Sequence, residues 1–488
     1  MKLIYFLLCI FFHNNVFAQN TVTFREMSLN IVAEPFSEKM SIEAELQIDL
    51  SQASSSNVEL VWQMTKPKNI SSFINSADGA NVTYRFETIP GIPNSIGVQL
   101  LYLTLPSSNK LIKLKMSYDY DQTTFAGWAP NPATGDSLHL GQLNKNGIYN
   151  THLNYYPTDG IGPEKAQITF NVPEKWQVAT SGQLIKKIQN QYQFEYAFSS
   201  GRLPYAFSIY PYSSIQFNYD NTPIAIYFDE TDRAFAEEKA ILIEKEVLPF
   251  LQSLFGDFPF QSLNIVEVFP SEGNTGVASK GQVTLSKNIW FAKEINNNFS
   301  SPQAMVIVDE IAHQWNFYSI QLPNYLAEGF SQYVDSLFLE RMLGTAELDK
   351  KISEYTQTYN QLSGTLNQLQ QLQGKGLTIE EAANQLSVKP EQIASMWPYA
   401  QYGERPISEG DTGTVFPALY FIKGALALHA LKKELGDVTF YQSIKALFNH
   451  FKNTGYVDLP TFQKSIESTS GKDLNSFFDL WYKKTGLP

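Results

Sequence analysis

The sequence predicts an α+β chain of two domains, an antiparallel β saddle or sandwich followed by a mostly α domain. Two observations carry that prediction. Up to about residue 215, short runs alternate apolar and polar residues, as in Ser41-Ile42-Glu43-Ala44-Glu45-Leu46-Gln47-Ile48 and Ala166-Gln167-Ile168-Thr169-Phe170-Asn171-Val172. From Pro302 onward, apolar residues recur at helical spacing instead. Strands followed by helices argue for separate units, 19–215 and 216–488.

The first eighteen residues read as an export signal. Lys2 is the charged region, Leu3 to Phe12 the apolar core, and Val16-Phe17-Ala18 the small-residue cleavage site before Gln19. That core is too short to span a bilayer, and no later segment reads as a membrane helix. The only cysteine is Cys9, inside the apolar run, where Phe6-Leu7-Leu8 is a poor lipidation signal. The mature chain therefore has no disulfide and no thiolate. An exported chain of this kind suits the periplasm or the secreted fraction of a bacterium. The net charge of -12, with no Lys/Arg cluster, argues against nucleic acid and anionic membrane surfaces as partners.

In the β half, Pro90-Gly91, Thr158-Asp159-Gly160 and Gly162-Pro163 supply turns. Aromatic residues, 14 % of the chain, read there as sheet-surface residues. A strand from Pro223 to Phe228 precedes a helix from Ala234 to Phe255, with Ile241, Val247, Leu248 and Leu251 on its apolar face. Next come a strand from Leu263 to Phe269, a Gly-rich turn and an edge strand from Gly281 to Ser286. Helices are expected over Val306 to Trp315 and Leu326 to Leu339, then through the polar, Gln-rich stretch 345–400. A helix from Ala418 to Leu435 ends at Gly436, a residue type suited to a helix C-terminus.

The chemistry concentrates at Asp309-Glu310-Ile311-Ala312-His313. In H-E-x-x-H, two imidazoles four residues apart hold a metal from one helix face, and the Glu is the general base. Here the base position (Glu310) and the second imidazole (His313) are present, and Asp309 replaces the first imidazole. After fourteen intervening residues, Glu328 in Leu326-Ala327-Glu328-Gly329-Phe330 offers a third ligand. Plainer readings stand beside these. His313 is alternatively a core histidine, Asp309 and Glu310 a solvated acidic pair, and Asp335 either a support for the ligands or a surface acid. His139, His152, His429 and His450 carry no motif.

Together with Gln314-Trp315 and the Glu328-Gly329-Phe330 segment, the motif resembles the aminopeptidase-N and leukotriene hydrolase family of gluzincin zinc metallopeptidases. Phe421-Ile422-Lys423-Gly424-Ala425 is similar to the family's Y-x-K-G-A, and the ending Asp473-Leu474 to Trp481 to the close of its catalytic domain. The resemblance implies a β saddle, a thermolysin-like catalytic domain, one zinc and a peptide in the cleft. It also locates three departures. Asp309 stands where the first zinc histidine should be, and its shorter reach moves the metal or loses it. Phe421 stands where the family's tyrosine steadies the oxyanion, with Tyr420 one residue early and about 100° away around the helix. Gly276-Val277-Ala278-Ser279 stands where the substrate-binding G-x-M-E-N carries its amine-gripping Glu, and here holds no carboxylate.

The expectation is a short, exported, catalytically impaired homologue that binds peptide or protein in its cleft. One alternative is an active divergent metallopeptidase with Asp309, His313 and Glu328 as ligands and Glu310 as base. Another is a non-enzymatic envelope scaffold acting through its β domain.

Overall fold

The computed structural model describes residues 22–53, 57–89, 97–106, 110–130, 137–196, 205–268, 276–287, 302–452 and 456–488. The leader, Cys9 and the Pro90-Gly91 turn lie outside them. Among the described residues, no helix is long and apolar enough to cross a membrane.

The alternating segments build a seven-stranded sheet with Thr23–Glu34 at its centre. Lys39–Asp49 flanks it on one side, where Met40, Ile42, Ala44, Leu46 and Ile48 all turn inward because successive side chains take opposite faces. On the other side Lys165–Asn171 pairs in parallel, an exception to the antiparallel expectation. A three-stranded sheet and a five-stranded sheet complete this half. Its aromatic residues are largely core rather than sheet surface. Tyr118, Tyr120, Tyr155, Tyr156 and Tyr196 are fully buried. Tyr118 donates to the Tyr155 carbonyl at 2.9 Å and Tyr120 to the Thr65 carbonyl at 2.6 Å, which satisfies their hydroxyls.

A second five-stranded sheet leads into the helical half, in the spatial order Ser213–Tyr219, Thr222–Phe228, Leu263–Val268, Gln282–Ser286, Gly276–Ser279. The expected edge strand is therefore corrected. Gln282–Ser286 lies inside the sheet and Gly276–Ser279 forms its edge, because the chain folds back in an antiparallel hairpin. The helix after Phe228 begins at Arg233 and continues to Phe255 through a π turn at Ile243–Val247. That turn shifts the buried face, so Ile241 is 61 % exposed and Ile243 takes the core position.

The helices Pro302–His313, Asn324–Leu343, Thr345–Gly374 and Pro417–Leu435 pack into one apolar core with the sheet. Gly436 closes the last of them at φ 78°, as its residue type predicts. The Lys423-Gly424-Ala425 segment owes its glycine to packing: Gly424 crosses Gly329 so closely that a Cβ on either would meet the other's backbone at 2.8–2.9 Å.

Candidate metal centre

The helix Pro302–His313 presents Asp309 and His313 on one face, four residues apart. Asp309, Glu310 and His313 are 5, 2 and 2 % exposed, which removes the solvated-pair reading. The chain leaves this helix through a π turn at Gln314–Ser319 and returns as Asn324–Leu343. That return delivers Glu328, 5 % exposed, to the same spot. His313 Nε2 lies 3.8 Å from Asp309 Oδ2 and 3.9 Å from Glu328 Oε2. Asp309, Glu310 and His313 can each offer a donor atom within 4.8 Å of the others, and among the described residues they form the one such group.

The tautomer of His313 follows from its neighbour. Asn316 donates from Nδ2 to the Ala327 carbonyl and to Ser331 Oγ, both at 3.1 Å, so its Oδ1 must be the acceptor. That oxygen sits 3.1 Å from His313 Nδ1, which therefore carries the proton. Nε2 keeps its lone pair, aimed toward the two carboxylates. This is the orientation a metal-binding imidazole needs. Neither Asn316 nor Ser331 was legible in the sequence, since a polar residue three positions from a histidine has no motif value by itself.

Do these donors fit zinc? Tetrahedral donors about 2.0–2.2 Å from zinc lie roughly 3.4 Å apart, so the His313–Asp309 and His313–Glu328 separations need only small side-chain adjustment, although Glu328 stands outside the compact group of Asp309, Glu310 and His313. The electrostatics agree. Burial holds the His313 imidazole down to about 4, so it is neutral and able to ligate. Burial, and next the Asp309 carboxylate, push Glu328 well above the usual carboxylate range. A cation placed among them would offset both effects. Two carboxylates and one imidazole make a hard donor set that also suits manganese or magnesium.

The edge strand Gly276–Ser279 lies directly against Glu310. A Cβ at Gly276 would stand 2.7 Å from Glu310 Oε1, so only glycine allows this approach. The π turn holds the hairpin in place. Gln314 donates to the Ser279 carbonyl at 3.1 Å and accepts from Gly281 N–H at 2.8 Å. Tyr318 donates to the Ala278 carbonyl at 2.8 Å. Val277 turns the other way, into the core of the β half.

On the helix Pro417–Leu435, Phe421 and Tyr420 are both buried, their rings 5.1 Å apart. Tyr420 packs over Gly410, where a Cβ would come within 3.0 Å of its ring. Asp335 is buried, which corrects the surface-acid reading. Burial, and next the Asp335 carboxylate, push the Tyr355 phenol up.

Of the other histidines, His429 is buried beside the Tyr333 hydroxyl at 3.3 Å, His450 is exposed on the helix Asp437–Phe451, and His139 lies on the strand Ser137–Asn144. Burial holds His152 down to about 3, against 6.5 for an ordinary imidazole. A depressed histidine means that the unfolded chain binds its proton first. The associated stability is whole above about pH 6.5 and is lost as pH falls toward 3. At pH 5 the loss from His152 is about 2 kcal/mol. His152→Gln should therefore flatten the drop in thermal midpoint between pH 7 and pH 5. An unchanged slope would contradict the assignment.

Residues 240–481 match the Peptidase family M1 domain. Among curated relatives, the chain is 23 % identical over 334 residues to aminopeptidase N of Streptomyces lividans, covering 66 % of this chain and 35 % of that protein. It is 33 % identical over 86 residues to mitochondrial aminopeptidase 2 of Saccharomyces cerevisiae, covering 17 % and 9 %. The chain thus spans about a third or less of these two relatives. Yeast LTA4 hydrolase shares the fold with a TM-score of 0.66 at 15 % identity, over 96 % of this chain and 69 % of that one. An M1 zinc metallopeptidase of Deinococcus radiodurans, solved with a Tyr-Ser-Ala substrate, gives 0.61 at 15 % identity over 96 % of each. The solved structures share the two-domain α+β fold, and the domain match gives the assignment: the chain belongs to the M1 peptidase family.

Proposed function

We propose that this chain is an exported, catalytically impaired M1 homologue that binds a peptide or protein segment in its cleft. The observation that carries this reading is Phe421, a buried ring without a hydroxyl where the family places its oxyanion donor. Loss of such a donor typically costs about 10²–10³ in rate. The strand Gly276–Ser279, which would lie along the substrate, also has no carboxylate to grip a free amine. Asp309, His313 and Glu328 would hold the metal. Zinc, when bound, would supply Lewis-acid polarisation of a peptide carbonyl. Glu310, against Gly276, is placed to hold and pass a proton at Oε1.

A second reading, an active divergent metallopeptidase, is favoured by the His313 tautomer and the convergence of the three donors. Metal analysis by plasma mass spectrometry after zinc loading, followed by hydrolysis of peptides with free and blocked N-termini, separates the two. About one zinc per chain with saturable peptide binding and turnover at least about 10² below a peptidase is the expected result. Rapid turnover that Glu310→Gln abolishes would move the second reading to first place. Metal-free protein that also fails to bind peptide would remove both.

A further inference from the structure

A cavity of about 1250 Å³ lies away from the metal centre, between the β half and the outer face of the second five-stranded sheet. Its walls follow from strand alternation. Ile224, Ile226 and Phe228 point into the helical core, so the opposite face of the same hairpin presents Gln216, Asn218, Ala225 and Tyr227 to the cavity. Across from them stand Lys187 and Tyr192, with the ammonium 4.6 Å from the ring centroid. Phe260, Gln261, Lys280, Tyr318 and Gln321 complete the lining, with the Lys280 ammonium 5.6 Å from the Phe260 ring centroid and Gln321 held in the left-handed region at φ 42°.

The lining chemistry is uneven. Gln183, Gln216, Asn218, Gln261 and Gln321 offer carboxamides that bond to no described residue. Six rings, Tyr192, Phe194, Phe217, Tyr227, Phe260 and Tyr318, are interleaved with them. The ionisable side chains on the wall, apart from tyrosines, are Lys187, Lys280 and Glu195, which leave at most one positive charge. Each carboxamide presents a donor and an acceptor side by side, matching a pair of adjacent hydroxyls. Ring faces match the C–H faces of a saturated ring. A strongly charged ligand would find no matching field here, and the apolar part of the wall, Val178, Leu184, Pro223 and Pro259 with the rings, suits the C–H faces between hydroxyls. The cavity also exceeds the ~300–1,000 Å³ of an ordinary small-molecule pocket, leaving room for several linked rings.

We propose that this interdomain cleft is a binding site for a short neutral oligosaccharide, separate from the metal centre. Its occupant would touch Lys280 and Tyr318, at the far end of the hairpin whose Gly276 lies against Glu310.

Isothermal titration calorimetry of the full chain with maltotetraose, cellotetraose and chitotetraose tests this, with tetra-alanine as the peptide comparison. At least one saccharide should bind with a Kd between about 10 μM and about 1 mM. Gln216 and Asn218 are exposed strand positions, so the double variant Gln216→Ala, Asn218→Ala should keep its thermal midpoint while affinity falls at least about tenfold. No saturable heat from any of the three up to about 10 mM would overturn the proposal. So would undiminished binding by the double variant, or binding of tetra-alanine in their place. None of these outcomes bears on zinc content or on peptide turnover, so this site and the metal centre stand or fall separately.

Discussion

Asp309→His is expected to raise zinc affinity by about tenfold or more while leaving peptide hydrolysis near its starting level. Adding Phe421→Tyr should then raise turnover by about 10²–10³. The two steps differ because the two positions do different work. Asp309 and His313 share a helix face, with His313 Nε2 3.8 Å from Asp309 Oδ2. Exchanging that carboxylate for an imidazole removes one negative charge beside Glu328, which is already pushed up by burial and then by Asp309. The metal is then held by a softer, less anionic donor set, which favours zinc over magnesium. None of this supplies a donor to an oxyanion. On the reading proposed above, position 421 would supply one, because a tyrosine there adds the hydroxyl that Phe421 lacks. Zinc titration and peptide turnover of the single and double variants check the sequence of effects. Full hydrolysis by Asp309→His alone would show that Phe421 is not the deficit.

Gly329→Ala should be the most destabilising small substitution near the site. Its new methyl would stand 2.8 Å from Gly424 Cα and 2.9 Å from the Gly424 carbonyl carbon. Both are backbone atoms on a crossing helix, so neither can swing aside as a flexible side chain would. Overpacking of this kind costs about 1–3 kcal/mol and sometimes more. The thermal midpoint should fall by about 2–4 °C for each kcal/mol. Moving the helices apart would also displace Glu328, the adjacent residue, so zinc affinity should fall with stability. Gly364→Ala is the matched control. It sits in the helix Thr345–Gly374 with nothing within 4 Å of its added methyl. Higher helix propensity should make it neutral or stabilising by up to about 1 kcal/mol. Equal midpoints for the two variants would refute the crossing argument.

Much of the architecture was legible in the sequence because it is written in local periodicity. Alternation over Lys39–Asp49 and Lys165–Asn171 reports which side chains face inward, and the structure keeps that pattern. The same holds for the motif helix, where a spacing of four residues sets Asp309 and His313 on one face wherever the helix packs. The departures at Asp309, Phe421 and Gly276–Ser279 were likewise visible, since each was a residue type read against a motif.

What the sequence could not express were contacts between residues far apart along the chain. Asn316 earns its role by holding His313 while bonding Ala327 and Ser331 on the next helix. Gly276 matters because Glu310 lies against it, and Gly329 because Gly424 crosses it. Ile241 was misplaced on the buried face because the π turn at Ile243–Val247 sets the residues before it out of phase with Val247, Leu248 and Leu251 beyond it. The edge strand was misassigned because hairpin return and sheet order depend on hydrogen bonds between strands, and alternation within one strand is the same at an edge as in the middle. Local composition therefore determined the elements and the chemistry they carry. Only packing decided which of those side chains meet, because meeting requires distances that no single segment contains.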